Sequence, residues 1–198
     1  IVGSTYLVTY NEQIFQRIQP FLARFGHEHH HHEQSKEYGA WVFGYHRIGW
    51  KIVEALRAAG TTIAAVDDDP DAIRRLRERE IPGHFGDASD DEFLESLPLQ
   101  GARLVVSTIP DVDTSLVLLR HLRGHLGTKV RIVVIADHIR SLDLLYHAGA
   151  DFVLLPHLIG GVWASDAIIG QPWTTGTFEH LRKTQAEEMK LRTVSAAA

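Results

Sequence analysis

The chain has 198 residues, of which 44% are hydrophobic, and this composition predicts a well-packed globular domain with appendages rather than a disordered chain. A formal net charge of −5 gives no electrostatic basis for binding a phosphate backbone, so nucleic acid is excluded as a partner. The absence of cysteine excludes disulfides, thiolate nucleophiles and cysteine-based zinc sites.

Residues 1–38 are predicted to form a helical connector and a histidine-rich linker. Apolar residues recur there at three- and four-residue steps, as on one helix face: Tyr10, Ile14, Ile18, Phe21 or Leu22, and Phe25. Such a helix either packs on its own domain or is the cytosolic end of a membrane segment. The first residue is not methionine, so we expect the chain to be part of a longer protein.

The linker contains five closely spaced histidines: His27, His29, His30, His31 and His32. Neutral imidazoles bind zinc, nickel or copper, and histidine changes charge near neutral pH, so a metal site and a pH sensor are both open hypotheses. The favoured interpretation is a solvated linker.

From residue 39 to residue 170, apolar runs alternate with helical periodicity, which predicts a parallel sheet covered by helices on both faces. The predicted strands are 40–43, 62–66, 81–85, 104–109, 130–136 and 152–155. The predicted helices are 48–59, 71–79, 90–97, 111–123, 141–148 and 161–169. Residues 171–198 are predicted to form a helical tail.

Turn and cap residues refine these elements. Pro70 and Pro110 are predicted to open the second and fourth helices. Ser89 with Glu92 predicts a capping box for the third helix. The third strand contains Pro82, which places it at an edge of the sheet.

Six strands joined by right-handed crossovers predict an α/β, Rossmann-like doubly wound parallel sheet of order 3-2-1-4-5-6. The ligand crevice of such a sheet lies at the carboxyl ends of strands one and four. Polar or turn residues fall on that edge: Gly44, Asp67, Asp87 and Thr108.

The turn after the first strand has the form of a nucleotide-binding glycine motif, Gly44-Tyr45-His46-Arg47-Ile48-Gly49. The first glycine permits the tight turn, the last allows close packing of helix and strand, and the helix start offers N–H groups to phosphate. Asp67 ends the next strand, where a carboxylate usually reads a ribose 2′-hydroxyl.

His46 replaces the middle glycine, which normally lets the backbone approach two linked phosphates. Its side chain is expected to crowd a dinucleotide, so we predict a preference for AMP or another mononucleotide over NAD. Alternatively, His46 or Arg47 supplies a charge-assisted bond to phosphate. The Asp67 carboxylate makes NADP the least favoured dinucleotide.

Five segments in a fixed order carry a resemblance to a known family. They are 42–49, 66–70 (Val-Asp-Asp-Asp-Pro), 86–88 (Gly-Asp-Ala), 106–110 (Val-Ser-Thr-Ile-Pro) and 148–157. Together they resemble the TrkA-N, or RCK N-terminal, domains of Kef-type monovalent cation:proton antiporters, over residues 40–165. The N-terminal stretch is similar to the linker that follows the last membrane helix in those antiporters.

The resemblance implies a regulatory domain at the cytoplasmic face of the membrane, which binds an adenine nucleotide to gate potassium or sodium/proton antiport. It implies that the glycine turn binds phosphate and that Asp67, in the 66–70 segment, binds the ribose, with Asp68 beside it as a further site residue. It also implies that Asp87 and Ala88 lie by the adenine. Thr108 and Ile109 would border the far half of a dinucleotide. Members of the family respond to NAD(H), AMP, ADP or ATP. The antiporter's membrane domain, in the same polypeptide, would be the partner.

The alternative is a soluble NAD-binding protein of the oxidoreductase type, since a fold does not fix function. None of the five tyrosines is followed four positions later by the lysine of the short-chain reductase pair. We therefore expect no enzyme activity.

Apolar residues past the last strand predict a contact between two copies of the chain. Trp163, Ile168 and Ile169 lie on a short helix with little following sequence to cover it. The family resemblance also implies paired sensor domains. A homodimer is therefore expected.

Overall fold

The computed structural model describes residues 37–169 and 172–194. The predicted connector helix and the histidine run lie outside these residues. Within the described ranges, no helix combines the length and apolar character that a membrane span requires.

Six parallel strands form one sheet in the order 3-2-1-4-5-6, which confirms the predicted topology. The strands are β1 (Ala40–Phe43), β2 (Ile63–Asp67), β3 (Gly83–Phe85), β4 (Leu104–Ser107), β5 (Arg131–Ile135) and β6 (Phe152–Leu154). The helices are α1 (Gly49–Ala58), α2 (Pro70–Glu78), α3 (Asp91–Ser96), α4 (Val112–Leu126), α5 (Leu142–His147), α6 (Pro156–Ile169) and α7 (Thr175–Val194), with a 3₁₀ turn at Ile139–Ser141.

The sheet is buried on both faces, as a parallel sheet with helical crossovers requires. Trp41 and Phe43 of β1 belong to one apolar cluster, and Val42, between them, belongs to the other. All four residues of β1 are buried, which explains why the sequence reads as a continuous apolar run.

Strand register brings the residues of the predicted crevice to one level. Phe43, the last residue of β1, lies opposite Val66 of β2 and Ser107 of β4. The chain segments after these three strands therefore begin side by side at the carboxyl edge of the sheet.

The predicted N-terminal caps of two helices are wrong. Ser89 forms no capping box with Glu92; instead the Asp90 side chain accepts the N–H groups of Glu92 and Phe93 and caps α3. Pro110 does not open α4, because the Asp111 side chain accepts the Thr114 N–H and makes Asp111 the N-cap. In both places a nearby aspartate is the better cap.

Helix α6 begins at Pro156, five residues before the predicted start. Proline suits the first helical position, because its missing N–H would have no partner there. The helix is largely apolar, and its large hydrophobic residues are exposed: Leu158, Ile159, Val162, Trp163, Ile168 and Ile169. Trp163 is 64% exposed and Ile169 is 80% exposed.

Candidate functional site

The turn between β1 and α1 has a geometry that only glycine satisfies at two positions. Gly44 has a φ of +87°, and its N–H donates to the Val66 carbonyl at 2.8 Å. A Cβ on Gly49 would overlap the carbonyl oxygen of Gly44. The two glycines therefore allow α1 to start directly against the end of β1.

Asp67, at the end of β2, fastens this turn from the neighbouring strand. The residue is 5% exposed, and its carboxylate accepts the Tyr45 N–H at 2.6 Å through Oδ2. Its Oδ1 accepts the Asp69 N–H at 2.9 Å. Each oxygen keeps acceptor capacity for a ligand hydroxyl, because a carboxylate oxygen can accept more than one hydrogen bond.

The His46 side chain bends towards the loop between β2 and α2. Its Nε2 lies 2.8 Å from Asp69 Oδ2 and 3.7 Å from Asp67 Oδ1. Its Nδ1 lies 3.5 Å from Nη2 of Arg75 on α2. The imidazole thus connects the glycine turn to the start of α2.

The pKa of the Asp69 carboxyl lies below its ordinary value. The main cause is the backbone N–H of Asp71, which donates to Asp69 Oδ1 at 2.8 Å. The neighbouring His46 and Arg75 lower this pKa further. Asp69 is therefore a carboxylate at neutral pH.

Arg47 is exposed at the mouth of the site and has a φ of +48°, which is uncommon for a residue with a Cβ. Among residues 37–169 and 172–194 it has no hydrogen-bond or ion-pair partner. Arg47 precedes the first residue of α1 by two positions, and a cation and a helix start both suit an anionic ligand.

The opposite wall comes from β4 and from the loop after β3. The Thr108 N–H donates to the Phe43 carbonyl at 2.8 Å, and Thr108 Oγ1 donates to the Gly44 carbonyl at 2.8 Å. The Ser89 N–H and hydroxyl both donate to Asp87 Oδ1 at 2.8 Å and lower the pKa of Asp87. Within the described part of the chain no group donates to Asp87 Oδ2, so this oxygen is free to accept a further hydrogen bond.

These segments enclose a cleft of about 570 Å³. Nine of the predicted site residues line it: Gly44, His46, Arg47, Asp67, Asp68, Asp87, Ala88, Thr108 and Ile109. Sequence reasoning missed five other lining residues: Val66, Gly86, Ser89, Pro110 and Thr114. Thr114 could have been predicted from the sequence, because it lies in the first turn of the helix that follows β4, and β4 ends at the crevice.

Three predicted site residues do not line the cleft: Tyr45, Ile48 and Gly49. The Tyr45 side chain is buried in the apolar cluster of Val42, and its hydroxyl accepts from Arg79 at 3.1 Å. Burial raises the pKa of Tyr45. Its backbone N–H, rather than its ring, belongs to the site.

Comparison with known sequences gives a family and several relatives. A family model described as the TrkA-N domain matches residues 40–156. Potassium channel protein 1 of Methanocaldococcus jannaschii is 26% identical over 123 residues, which cover 61% of this chain and 37% of the relative. The glutathione-regulated potassium-efflux system protein KefC of Klebsiella pneumoniae is 30% identical over 84 residues, 42% of this chain and 14% of the relative. The chain thus spans well under half the length of these relatives.

Two solved structures share the fold. The NAD(P)-binding domain of an exopolyphosphatase-related protein from Archaeoglobus fulgidus is 28% identical, with a TM-score of 0.60 over 68% of this chain and 99% of the other. The Shewanella denitrificans Kef C-terminal domain in its AMP-bound form is 20% identical, with a TM-score of 0.57 over 80% of this chain and 98% of the other.

Proposed function

Because the chain belongs to the TrkA-N domain family, we propose that it is the nucleotide-sensing regulatory domain of a potassium or sodium/proton antiporter. It binds an adenine nucleotide at the cytoplasmic face of the membrane and thereby gates cation transport through the membrane domain of the same polypeptide. Relatives named as a potassium channel and a potassium-efflux protein favour this regulatory role over catalysis. The N-terminal connector, residues 1–38, joins this domain to the membrane part.

The observation that carries the proposal is the cleft at the glycine turn. Phosphate binds at the glycine turn just before α1, where backbone N–H groups and the Arg47 guanidinium meet the anion. Asp67 and Asp68 take the ribose hydroxyls, and Asp87 and Ala88 lie beside the adenine. The residues present fit an adenine nucleotide, since the cleft is lined by the Arg47 cation of the glycine turn and by the carboxylates of Asp67, Asp68 and Asp87.

AMP is the proposed ligand, ahead of NAD(H), ADP or ATP. The His46 ring stands on the glycine turn where a dinucleotide needs close backbone approach. The ring lines the cleft, and its Nε2 lies 2.8 Å from Asp69 Oδ2. The AMP-bound Kef domain supports a mononucleotide in this fold.

The ligand proposal is tested by calorimetric titration of the purified chain with AMP and with NADH. We expect AMP to bind more tightly. In His46→Gly, the ratio of the NADH to the AMP dissociation constant is expected to fall by about 100-fold, because removal of the ring admits a second phosphate.

Two results would contradict this assignment. Much tighter NADH binding by the wild-type chain would refute the mononucleotide preference. A His46→Gly variant that loses AMP affinity without gaining NADH affinity would make His46 a phosphate ligand instead of a steric barrier.

A homodimer through α6 is part of the proposed function. The exposed apolar residues of α6 form a face that is costly to leave in water, and a second copy of the chain would cover it. Gating then occurs if the nucleotide binds one arrangement of the dimer more tightly than another.

Trp163→Asp tests the dimer. Since an aromatic anchor at an interface contributes about 2 kcal/mol, we expect the dimer dissociation constant to rise roughly 30-fold. Sedimentation equilibrium measures this constant. Phe85→Asp is the matched control, because Phe85 is an exposed aromatic residue on β3 at the opposite edge of the sheet. Equal weakening by both variants would argue against α6 as the interface.

A further inference from the structure

The geometry points to Asp69 and Arg75 as positioning residues that fix the His46 ring at the wall of the cleft and so determine which nucleotides enter. This inference rests on the proposed function. Neither residue lines the cleft. Both contact the ring of His46, which does line the cleft.

The two ring nitrogens of His46 have partners of opposite kind. Nδ1 lies 3.5 Å from Nη2 of Arg75, and Nε2 lies 2.8 Å from Asp69 Oδ2. A guanidinium can only donate and a carboxylate can only accept. A neutral ring with its proton on Nε2 therefore satisfies both contacts, while the other tautomer, with its proton on Nδ1, would place donor against donor and acceptor against acceptor.

Asp69 is itself held by the backbone. Its Oδ1 accepts the Asp71 N–H at 2.8 Å as the N-cap of α2, and its N–H donates to the buried Asp67. Arg75 Nη2 lies 3.9 Å from Asp69 Oδ2, so the cation also keeps this oxygen in place. The ring thus meets a carboxylate that has little freedom to move.

The fixed position of the His46 ring limits the space available beyond the first phosphate group of a bound nucleotide. A fixed ring bounds the phosphate subsite at the start of α1 and leaves room for a monophosphate. A ring released from Asp69 and Arg75 would rotate away from the turn, and a dinucleotide could then extend past it. Selectivity therefore depends on two residues that do not touch the nucleotide.

Asp69→Asn tests the inference. Asparagine is as good a helix cap as aspartate, and its amide oxygen would keep the Asp71 N–H. Its NH₂ group would then face His46 Nε2 and force the ring proton onto Nδ1, against the Arg75 guanidinium. We expect the ratio of the NAD⁺ to the AMP dissociation constant, measured by calorimetry, to fall about tenfold.

Three further variants complete the experiment. Arg75→Met is expected to lower the same ratio, to a smaller extent. Asp71→Asn also removes one negative charge near the start of α2, but Asp71 contacts Arg74 instead of His46. The ratio of the NAD⁺ to the AMP dissociation constant is expected to stay at the wild-type value in this variant. In a His46→Gly background, Asp69→Asn is expected to leave the ratio unchanged, because the residue acts only through the ring.

The outcomes separate this inference from the proposed function. If the wild-type chain binds neither AMP nor NAD⁺, the proposed function is refuted and the inference with it. If AMP binds but Asp69→Asn keeps the wild-type ratio, the inference alone is overturned. It is also overturned if Asp69→Asn changes the ratio equally with and without His46. Urea unfolding of each variant checks whether the domain is fully folded, so that a changed ratio can be assigned to binding.

Discussion

Replacement of Gly49 by alanine is expected to lower the free energy of unfolding by about 3 kcal/mol and to abolish AMP binding. The new Cβ would overlap the Gly44 carbonyl oxygen and would lie 3.1 Å from Thr108 Oγ1. The first of these atoms belongs to the backbone, so helix α1 would have to move away from β1. That movement would also displace the N–H groups proposed to bind phosphate. Urea unfolding and AMP calorimetry measure the two effects.

Gly124→Ala is the matched control for this prediction. Gly124 lies inside α4, and an added Cβ there would meet no atom within 4 Å. Alanine in a helix interior is favoured over glycine, so we expect a gain of about 0.5–1 kcal/mol and unchanged AMP affinity. A Gly49→Ala variant as stable as the wild type would show that the turn relaxes without moving α1.

Asp67→Ala is expected to weaken AMP binding about 100-fold and to destabilise the fold by about 2 kcal/mol. The variant would remove the acceptor from the Tyr45 N–H, which is buried, and from the Asp69 N–H. It would also remove the carboxylate proposed to hold the ribose. Calorimetry and urea unfolding again report the two losses.

Asp68→Ala removes the same charge from the adjacent position. Asp68 lines the cleft and is less buried than Asp67, so its loss is expected to change stability by less than about 0.5 kcal/mol. If Asp68→Ala weakens AMP binding more than Asp67→Ala does, the ribose is held chiefly by Asp68, and Asp67 serves the turn alone.

The topology of the sheet could be predicted because each step rests on a local pattern and a general rule. Strand β1 is buried on both faces, so its residues form a continuous apolar run. Right-handed crossovers then leave few arrangements of six parallel strands. The edge position of β3 was predictable from Pro82, since proline cannot donate to a neighbouring strand.

Helix boundaries were less predictable, because several residues near a boundary compete for the cap. Ser89 has the spacing of a capping box, but its hydroxyl and N–H both donate to Asp87. That leaves Asp90 to cap α3. The prediction of Pro110 as a first helical residue failed for a similar reason, since Asp111 captures the Thr114 N–H.

The site was predictable as a set of positions but not as a set of contacts. The glycine spacing and Asp67 are sufficient to locate the cleft along the chain. Neither the direction of the His46 ring nor its contact with Arg75, 29 positions later in the chain, could be read from spacing. The left-handed backbone of Arg47 was equally hidden, since that conformation is unusual for arginine.

The Asp67 carboxylate accepts hydrogen bonds from two backbone amides, and this bears on how the proposed nucleotide sensor could transmit ligand binding. The protein's own hydrogen bonds already set the shape of the glycine turn. Binding of a nucleotide would therefore cost little conformational entropy for ordering the turn. A turn that is already ordered before binding cannot signal through a change from disorder to order when a nucleotide binds. Under the proposed function, information about a bound nucleotide would therefore travel as a shift in the populations of whole-domain arrangements.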